Sequence, residues 1–332
     1  MSLKRSQVNN GLIIYSRLKK MPTFPSISVV IPAYNRANTI RRCLDSILAQ
    51  TILPLEILVV DDCSTDATYH LVESYNDPRI RCMALDKNSG AQAARNFGIK
   101  KSKGEWIAFQ DSDDEWLPGK LERQIEALSE RQFDPWVVVH TNALCRGMSR
   151  TRGALELPIV EGADVYHLLL TKPGPLFPGL IVSRLALDRI NFLDENIRSY
   201  QEWDTSIRLA RYCRFVFLRE TLFIYNLDTN DSISNERARE ISGYQQVIDK
   251  FKEEIIRECG KTVWENHLYI QLIKCLDYGL WSEADGFLRM ISSGTIKYRL
   301  FKIFRLFHVS PDPAIHLLRL LRNSISKGRI AL

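Results

Sequence analysis

WIAFQDSDDEW, Trp106 to Trp116, runs from four apolar residues straight into Asp111, Asp113, Asp114 and Glu115. The apolar part reads as a buried strand. Carboxylates so close together repel, so a turn of this kind needs positive charge against it. Working outward, ISVVIP (27–32), LEILVVDD (55–62) and RIRCMAL (79–85) are three more apolar strands. Between them lie stretches with helical spacing. Residues 37–50 place Ile40, Leu44, Ile47 and Leu48 on one face, STDATYHLVESY (64–75) opens on Ser64 and Thr65 as caps, and SGAQAARNFGIKKS (89–102) precedes the acid turn. Strands and helices that alternate in this way predict an α/β fold with a mostly parallel sheet covered on both faces. In such sheets ligands bind beyond the carboxyl ends of the strands. Tyr34-Asn35, Asp61-Asp62 and Asp111–Asp114 all follow strand ends, so they are expected to share one rim.

Beyond Leu117 the pattern predicts a helix over 119–131 and a strand over 135–144. A Gly/Pro-rich loop, TKPGPLFPG (171–179), leads into LIVS, followed by a helix over 203–212 and a strand over 214–218. From about Glu236 the chain reads as helical, which sets a boundary near 235. The expected organisation is a tail over 1–26, a catalytic domain over 27–235 and a helical C-terminal region over 236–332. GLIIY, near the N-terminus, is too short for a signal peptide and is followed by basic residues. No segment reaches the apolar length that crosses a membrane. The seven cysteines include no CxxC pair, which points to reduced core thiols in a cytoplasmic protein. A net charge of +6, with no basic stripe in the first 230 residues, makes a nucleic-acid partner unexpected.

Because the chain turns after the strand, Asp111 and Asp113 can converge on one Mg²⁺ or Mn²⁺ ion, whose shell substrate phosphates then complete. The expected ligand is a nucleotide diphosphate. A calcium EF-hand loop starting at Asp111 fails, because its sixth position holds Trp116 where glycine is needed. PAYNRANT, after the first strand, contains no glycine-rich dinucleotide fingerprint, and no P-loop occurs.

SVVIPAYNR, EILVVDDCSTD, NSGAQAARNFGI and WIAFQDSDDEW, in this order and spacing, resemble the family-2 inverting glycosyltransferases of GT-A fold over roughly residues 27 to 235. The resemblance implies a nucleotide-sugar donor, with a UDP-sugar expected, and a divalent metal. It also implies a nucleotide-binding half over 27–115 and an acceptor-binding half over 116–235. Pro32, Ala33 and Tyr34 resemble the loop that packs on nucleobase and ribose. Asp61 or Asp62 resembles the acid that accepts the base's ring N–H. Arg95 resembles the arginine that meets the base or diphosphate. Asp111, with Ser112, resembles the donor-contacting pair, Asp111 and Asp113 the metal acids, and Asp114 a residue facing the acceptor or sugar.

An inverting transfer also needs a general base opposite the leaving diphosphate. The family's base motif, resembling Glu-Asp-Trp-Asp, corresponds here to SYQEWDTSIRLAR (199–211). Gln201 stands for the usual Glu and Glu202 for the usual Asp. Glu202 is the expected base and Asp204 the alternative, while acids in a first helical turn are also favoured by the helix dipole. Asp228 stands where the family often has a histidine, and Ser232 and Ser234 follow it. The stretches IKYRLFKIFRLFH (296–308) and IHLLRLLRNSISKGR (315–329) mix basic and apolar residues, as helices lying on an anionic membrane do. The implied setting is bacterial surface-polysaccharide synthesis on a saccharide or lipid-linked saccharide acceptor at the inner face of the membrane. A nucleotidyltransferase on a related fold and an inactive nucleotide-sugar-binding relative are the competing readings.

Overall fold

A computed structural model describes residues 25–147, 153–155, 157–162, 164–227 and 237–291, with 298, 299 and 302. Strands β1 (Ile27–Ala33), β2 (Glu56–Asp61), β3 (Ile80–Ala84) and β4 (Trp106–Phe109) alternate with helices α1 (Ile40–Leu48), α2 (Thr68–Glu73) and α3 (Ala91–Lys101). All seven residues of β1 are buried, as its unbroken apolar sequence requires. Val29 and Ile31 enter one core with Ile40, Leu44 and Ile47 of α1, and Val30 enters the other with Ile99 of α3. A side chain at Gly98 would place its Cβ 2.7 Å from Val30 Cγ1 and 3.2 Å from Val60 Cγ2, so the glycine of NFG lets α3 lie close on β1 and β2.

The sheet runs β3-β2-β1-β4 and then, from the second half of the chain, β8 (Ile181–Ser183), β6 (Val137–Arg146), β9 (Arg214–Asn226) and β5 (Glu115–Trp116), with β7 (Gly153–Leu155) beside β6. Ala33 pairs with Asp61 across β1 and β2, and Val30 with Phe109 across β1 and β4. These registers bring the ends of three parallel strands to one edge. The second half holds β5 (Glu115–Trp116), α4 (Lys120–Ser129), β6 (Val137–Arg146), β7 (Gly153–Leu155) and α5 (Val165–Thr171). It continues through β8 (Ile181–Ser183), α6 (Arg184–Arg189), α7 (Gln201–Ala210) and β9 (Arg214–Asn226). Here β4–β8 and β5–β9 are antiparallel and β6–β9 is parallel.

Two local expectations need correction. Strand β9 does not stop at 218. The exposed pair Arg219-Glu220 breaks its apolar pattern, the pairing with β6 shifts register around Asn142, and LFIYN then continues the strand. Helix α2 begins only at Thr68, and Ser64 and Thr65 do not cap it. Ser64 Oγ accepts from Asn35 N at 2.9 Å, and Thr65 N donates to Asn35 Oδ1 at 2.8 Å, so both fasten the loop after β1.

The C-terminal helices are α8 (Arg237–Lys250), α9 (Lys252–Glu254), which passes into a π-turn over Ile255–Cys259, α10 (Lys261–Tyr278) and α11 (Trp281–Met290). They share a core with the sheet side, in which Phe109, Phe177 and Trp203 pack with Tyr244, Trp264, Leu268 and Phe287. At Gly243 a Cβ would lie 2.6 Å from Ser199 N, so α8 rests directly on the segment leading into α7. The cysteines are free, but only Cys43, Cys213 and Cys275 are buried, and Cys63 is exposed. Among the described residues no helix is long and apolar enough to cross a membrane. Asp228, Ser232, Ser234 and the basic stretches 296–308 and 315–329 lie outside the described residues, except for 298, 299 and 302.

Candidate active site

Pro32 and Ala33 are buried strand residues, so β1 offers the rim its backbone and then Tyr34, which is 43% exposed. Asn35 follows with a left-handed φ of 51°, a conformation asparagine tolerates better than most residues. At the end of β2 the two acids differ. Asp62 accepts from Ser89 N with Oδ1 and from Gly90 N with Oδ2, both at 2.7 Å, and so pins the start of α3 to the sheet. Burial and the neighbouring Asp61 raise the Asp62 pKa, against the lowering by these two N–H groups. Asp61 accepts from Ser64 N at 3.2 Å with Oδ2, while its Oδ1 is buried and has no hydrogen-bond partner among the described residues. An orphaned carboxylate oxygen at a ligand edge is an open acceptor.

The acid turn is held by arginines. Arg95, only 4% exposed, contacts Asp111 Oδ1 with Nη2 at 2.5 Å and donates from Nη1 to Gln92 Oε1 (2.8 Å) and Gln201 Oε1 (3.2 Å). Its guanidinium lies 4.3 Å from the centre of the Phe177 ring. Arg36 Nε is 3.8 Å from Asp113 Oδ2, and Arg42 Nε is 3.0 Å from Glu115 Oε1, which Arg146 also contacts. Ser112 is buried. Asp114, expected to face acceptor or sugar, is 1% exposed and lies beneath the turn. Its Oδ1 accepts from Asn226 N at 2.8 Å, and burial with Asp113 and Asp111 nearby holds its pKa well above the carboxylate range.

Asp111 and Asp113 keep side-chain exposures of 27% and 18%. Among the described residues no three His, Cys, Asp or Glu side chains gather as a ready-made cage. Two hard oxygen ligands on a turn suit Mg²⁺ or Mn²⁺ when ligand phosphates and water complete the shell, and they do not suit a soft-metal site.

Helix α7 brings the remaining acids. Trp203 anchors it, fully buried, with Nε1 donating to Leu169 O at 2.7 Å. On either side of this anchor Glu202 and Asp204 have different environments. Asp204 is buried, with Oδ2 taken by Arg208 Nε at 2.9 Å and Oδ1 by Lys250 Nζ at 2.5 Å. Glu202 is half-buried and its pKa is pushed up to about 7, chiefly by burial. Its backbone N–H and the Arg95 charge oppose that rise, and the Asp111 charge adds to it. Glu202 therefore lies within electrostatic reach of the Arg95–Asp111 pair. Tyr225, near the end of β9, has its phenol pKa raised chiefly by burial, and the charges of Asp114, Glu202, Asp111 and Asp113 add to the rise. Sequence reasoning missed Tyr225, Asn226, Gln92 and Phe177. Their signal was a continuation of β9 and contacts between distant segments, which spacing does not reveal.

Comparison with known proteins bears on this rim. Residues 28–157 match the family described as Glycosyl transferase family 2. The succinoglycan biosynthesis protein ExoO of Rhizobium meliloti (strain 1021) is 51% identical over 102 residues, which are 31% of this chain and 29% of ExoO. The chain thus spans less than a third of that relative. The UDP-Glc:alpha-D-GlcNAc-diphosphoundecaprenol beta-1,3-glucosyltransferase WfgD of Escherichia coli is 28% identical over 236 residues, 68% of this chain and 87% of WfgD. Among solved structures, S. aureus TarS 1-349 in complex with UDP-GlcNAc superposes with a TM-score of 0.55 at 18% identity, covering 92% of this chain and 93% of that one.

Proposed function

Residues 28–157 form a glycosyltransferase family 2 domain of GT-A fold, and from that premise we propose that the chain transfers a sugar from a UDP-sugar to a hydroxyl acceptor with inversion. The observation that carries this reading is Glu202, an acid whose pKa is pushed up to about 7 and which feels the charges of Arg95 and Asp111. A general base works best when its pKa is near the working pH. Tyr34 stacks on the uracil, and Asp61 Oδ1 accepts the uracil N3–H, the role that Asp62 gives up by holding Ser89 and Gly90. Asp111 and Asp113 are the residues that would hold a Mn²⁺ or Mg²⁺ ion, which would supply positive charge against the diphosphate. As the acceptor oxygen forms its bond to the anomeric carbon, the bond from that carbon to the diphosphate oxygen breaks, and the hydroxyl proton passes to the Glu202 carboxylate. Arg95 holds Asp111 in place and adds positive charge behind the leaving group. Asp114 supports the turn from below.

WfgD's name includes a diphosphoundecaprenol acceptor and a UDP-linked donor. They support a lipid-linked saccharide as acceptor here, and the proposal places that transfer in polysaccharide synthesis at the inner face of the membrane. The nucleotidyltransferase reading lacks a glycine-rich loop to hold a triphosphate, since β1 ends in Pro32-Ala33 and YNRANT follows it.

UDP release from UDP-sugars with Mn²⁺ tests the proposal through its pH dependence. Only ionised Glu202 can take the proton. kcat/KM is therefore expected to rise about tenfold per pH unit below about 7 and to level off above it. A profile flat from about pH 5.5 to 8.5 rules out Glu202 as the base. Tight UDP binding without release from any donor supports the inactive-relative reading.

A further inference from the structure

Tyr200, the residue before α7, has φ 57° and ψ 32°. A bulky side chain in the left-handed region is an outlier that its surroundings must impose. Helix starts ordinarily carry an extended residue whose polar side chain caps them, and Tyr200 supplies neither. Its carbonyl nevertheless accepts the first bonds of the helix, from Trp203 N at 3.1 Å and Asp204 N at 3.2 Å. The backbone conformation of Tyr200 therefore sets the direction in which Gln201 and Glu202 leave the chain.

The restraint comes from the C-terminal helices. The Tyr200 phenol donates to Glu240 Oε1 of α8 at 2.9 Å and accepts from Lys274 Nζ of α10 at 2.9 Å. Lys274 also contacts Glu240 at 2.5 Å, and Tyr278 donates to the other Glu240 oxygen at 2.8 Å. The Tyr200 ring stands edge-on to those of Tyr244 (5.1 Å between centres) and Trp203 (6.0 Å). The two preceding residues meet the same helix: Ser199 lies against Gly243, and Arg198 N donates to Gln246 Oε1 at 3.0 Å. Glu240, Gly243 and Gln246 form one stripe of α8, and one turn further Lys250 takes Asp204 Oδ1. We propose that Tyr200, held by Glu240 and Lys274, is a positioning residue that aims Glu202 at the donor rim. The C-terminal helices are then part of the catalytic machinery, although residues 28–157, which match the family, contain none of these groups. This role rests on the transferase reading above and adds the device that orients its base.

The test compares the full chain with Tyr200→Phe, which keeps the ring and loses only the hydroxyl, and with Lys274→Met, which weakens the clamp without touching α7. The Glu202 carboxyl is titrated by carbon NMR in each protein, its signal identified by its loss in Glu202→Gln. The wild-type midpoint is expected near 7. In both variants it is expected to fall by at least about one pH unit, because a loosened α7 lets water reach the carboxyl. Arg95, Asp111 and Tyr225, the other groups that act on Glu202 from α3, the acid turn and β9, stay in place, and the raised pKa of Tyr200 keeps its phenol neutral throughout. Removing the Lys274 charge would by itself raise the midpoint, so a fall in that variant reports the loosening. UDP release from UDP-glucose with Mn²⁺ is expected to lose about tenfold or more in kcat, with KM within about twofold. Midpoints that stay at the wild-type value, or a wild-type midpoint near 4.5, overturn the role. Lower thermal stability with midpoint and kcat both unmoved makes Tyr200 merely structural and also overturns it. The titration needs no turnover, so a wild type that cleaves no donor but whose variants show the shift loses the transferase reading and keeps the hold of Tyr200 on Glu202.

Discussion

Glu202→Gln is expected to lower kcat by about 10² to 10⁴, the usual contribution of a positioned base, while UDP binding with Mn²⁺ changes less than about twofold. The substitution keeps size and hydrogen-bonding reach and removes only the ability to take a proton. It does not unfold the protein, for a reason that follows from the raised pKa. The folded chain holds the Glu202 proton more tightly than the unfolded chain, with a pKa of about 7 against 4.5. Its contribution to stability is therefore complete below about pH 4.5 and is lost as pH rises through 7. Glutamine has no proton to lose, so above pH 7 the variant is at least as stable as the wild type. A kcat within about tenfold of wild type would transfer the base to another group.

Asp204→Ala is expected to act in the opposite sense, costing stability and sparing chemistry. Asp204 is buried between Arg208 and Lys250, and its removal strips the mostly buried Arg208 guanidinium of its carboxylate, while Lys250 keeps Asp194 at 2.7 Å. Breaking a buried pair from one side costs about 3–5 kcal/mol. The lower end, about 3 kcal/mol, applies here because Lys250 keeps its bond to Asp194 and is partly exposed to water. Denaturant unfolding reads that loss directly. UDP release at a temperature where both proteins are folded is expected to stay within a few-fold of wild type. The reverse result, unchanged stability with turnover lost about a thousandfold, would make Asp204 the base.

Much of the rim was legible in the sequence because strands buried on both faces leave an unbroken apolar signal, and the residue after such a strand marks the sheet edge. Asp61, Asp111 and Asp113 could be placed on that ground alone. Which of Asp61 and Asp62 is available could not, since the answer depends on Ser89 and Gly90, which come from another segment to claim both Asp62 oxygens. Asp114 looked like one more acid of the cluster, and only its bond to Asn226 reveals that it faces inward. That bond depends on β9 continuing past Arg219-Glu220, an exposed pair that reads as a strand end. The pair Glu202 and Asp204 shows the same limit. The base-motif register favours Glu202 over Asp204, but the physical reason, Lys250 of α8 occupying Asp204, comes from a distant segment.

The central claim is that Asp61, Asp111, Asp113 and Glu202 border a single nucleotide-diphosphate site. A crystal structure of the protein with UDP and Mn²⁺ tests it most directly. The predicted density puts the uracil N3–H within about 3 Å of Asp61 Oδ1 and the metal-bound diphosphate at Asp111 and Asp113, on the side of Glu202. Nucleotide density away from this rim, with Asp61 Oδ1 and the two metal acids untouched, would contradict it.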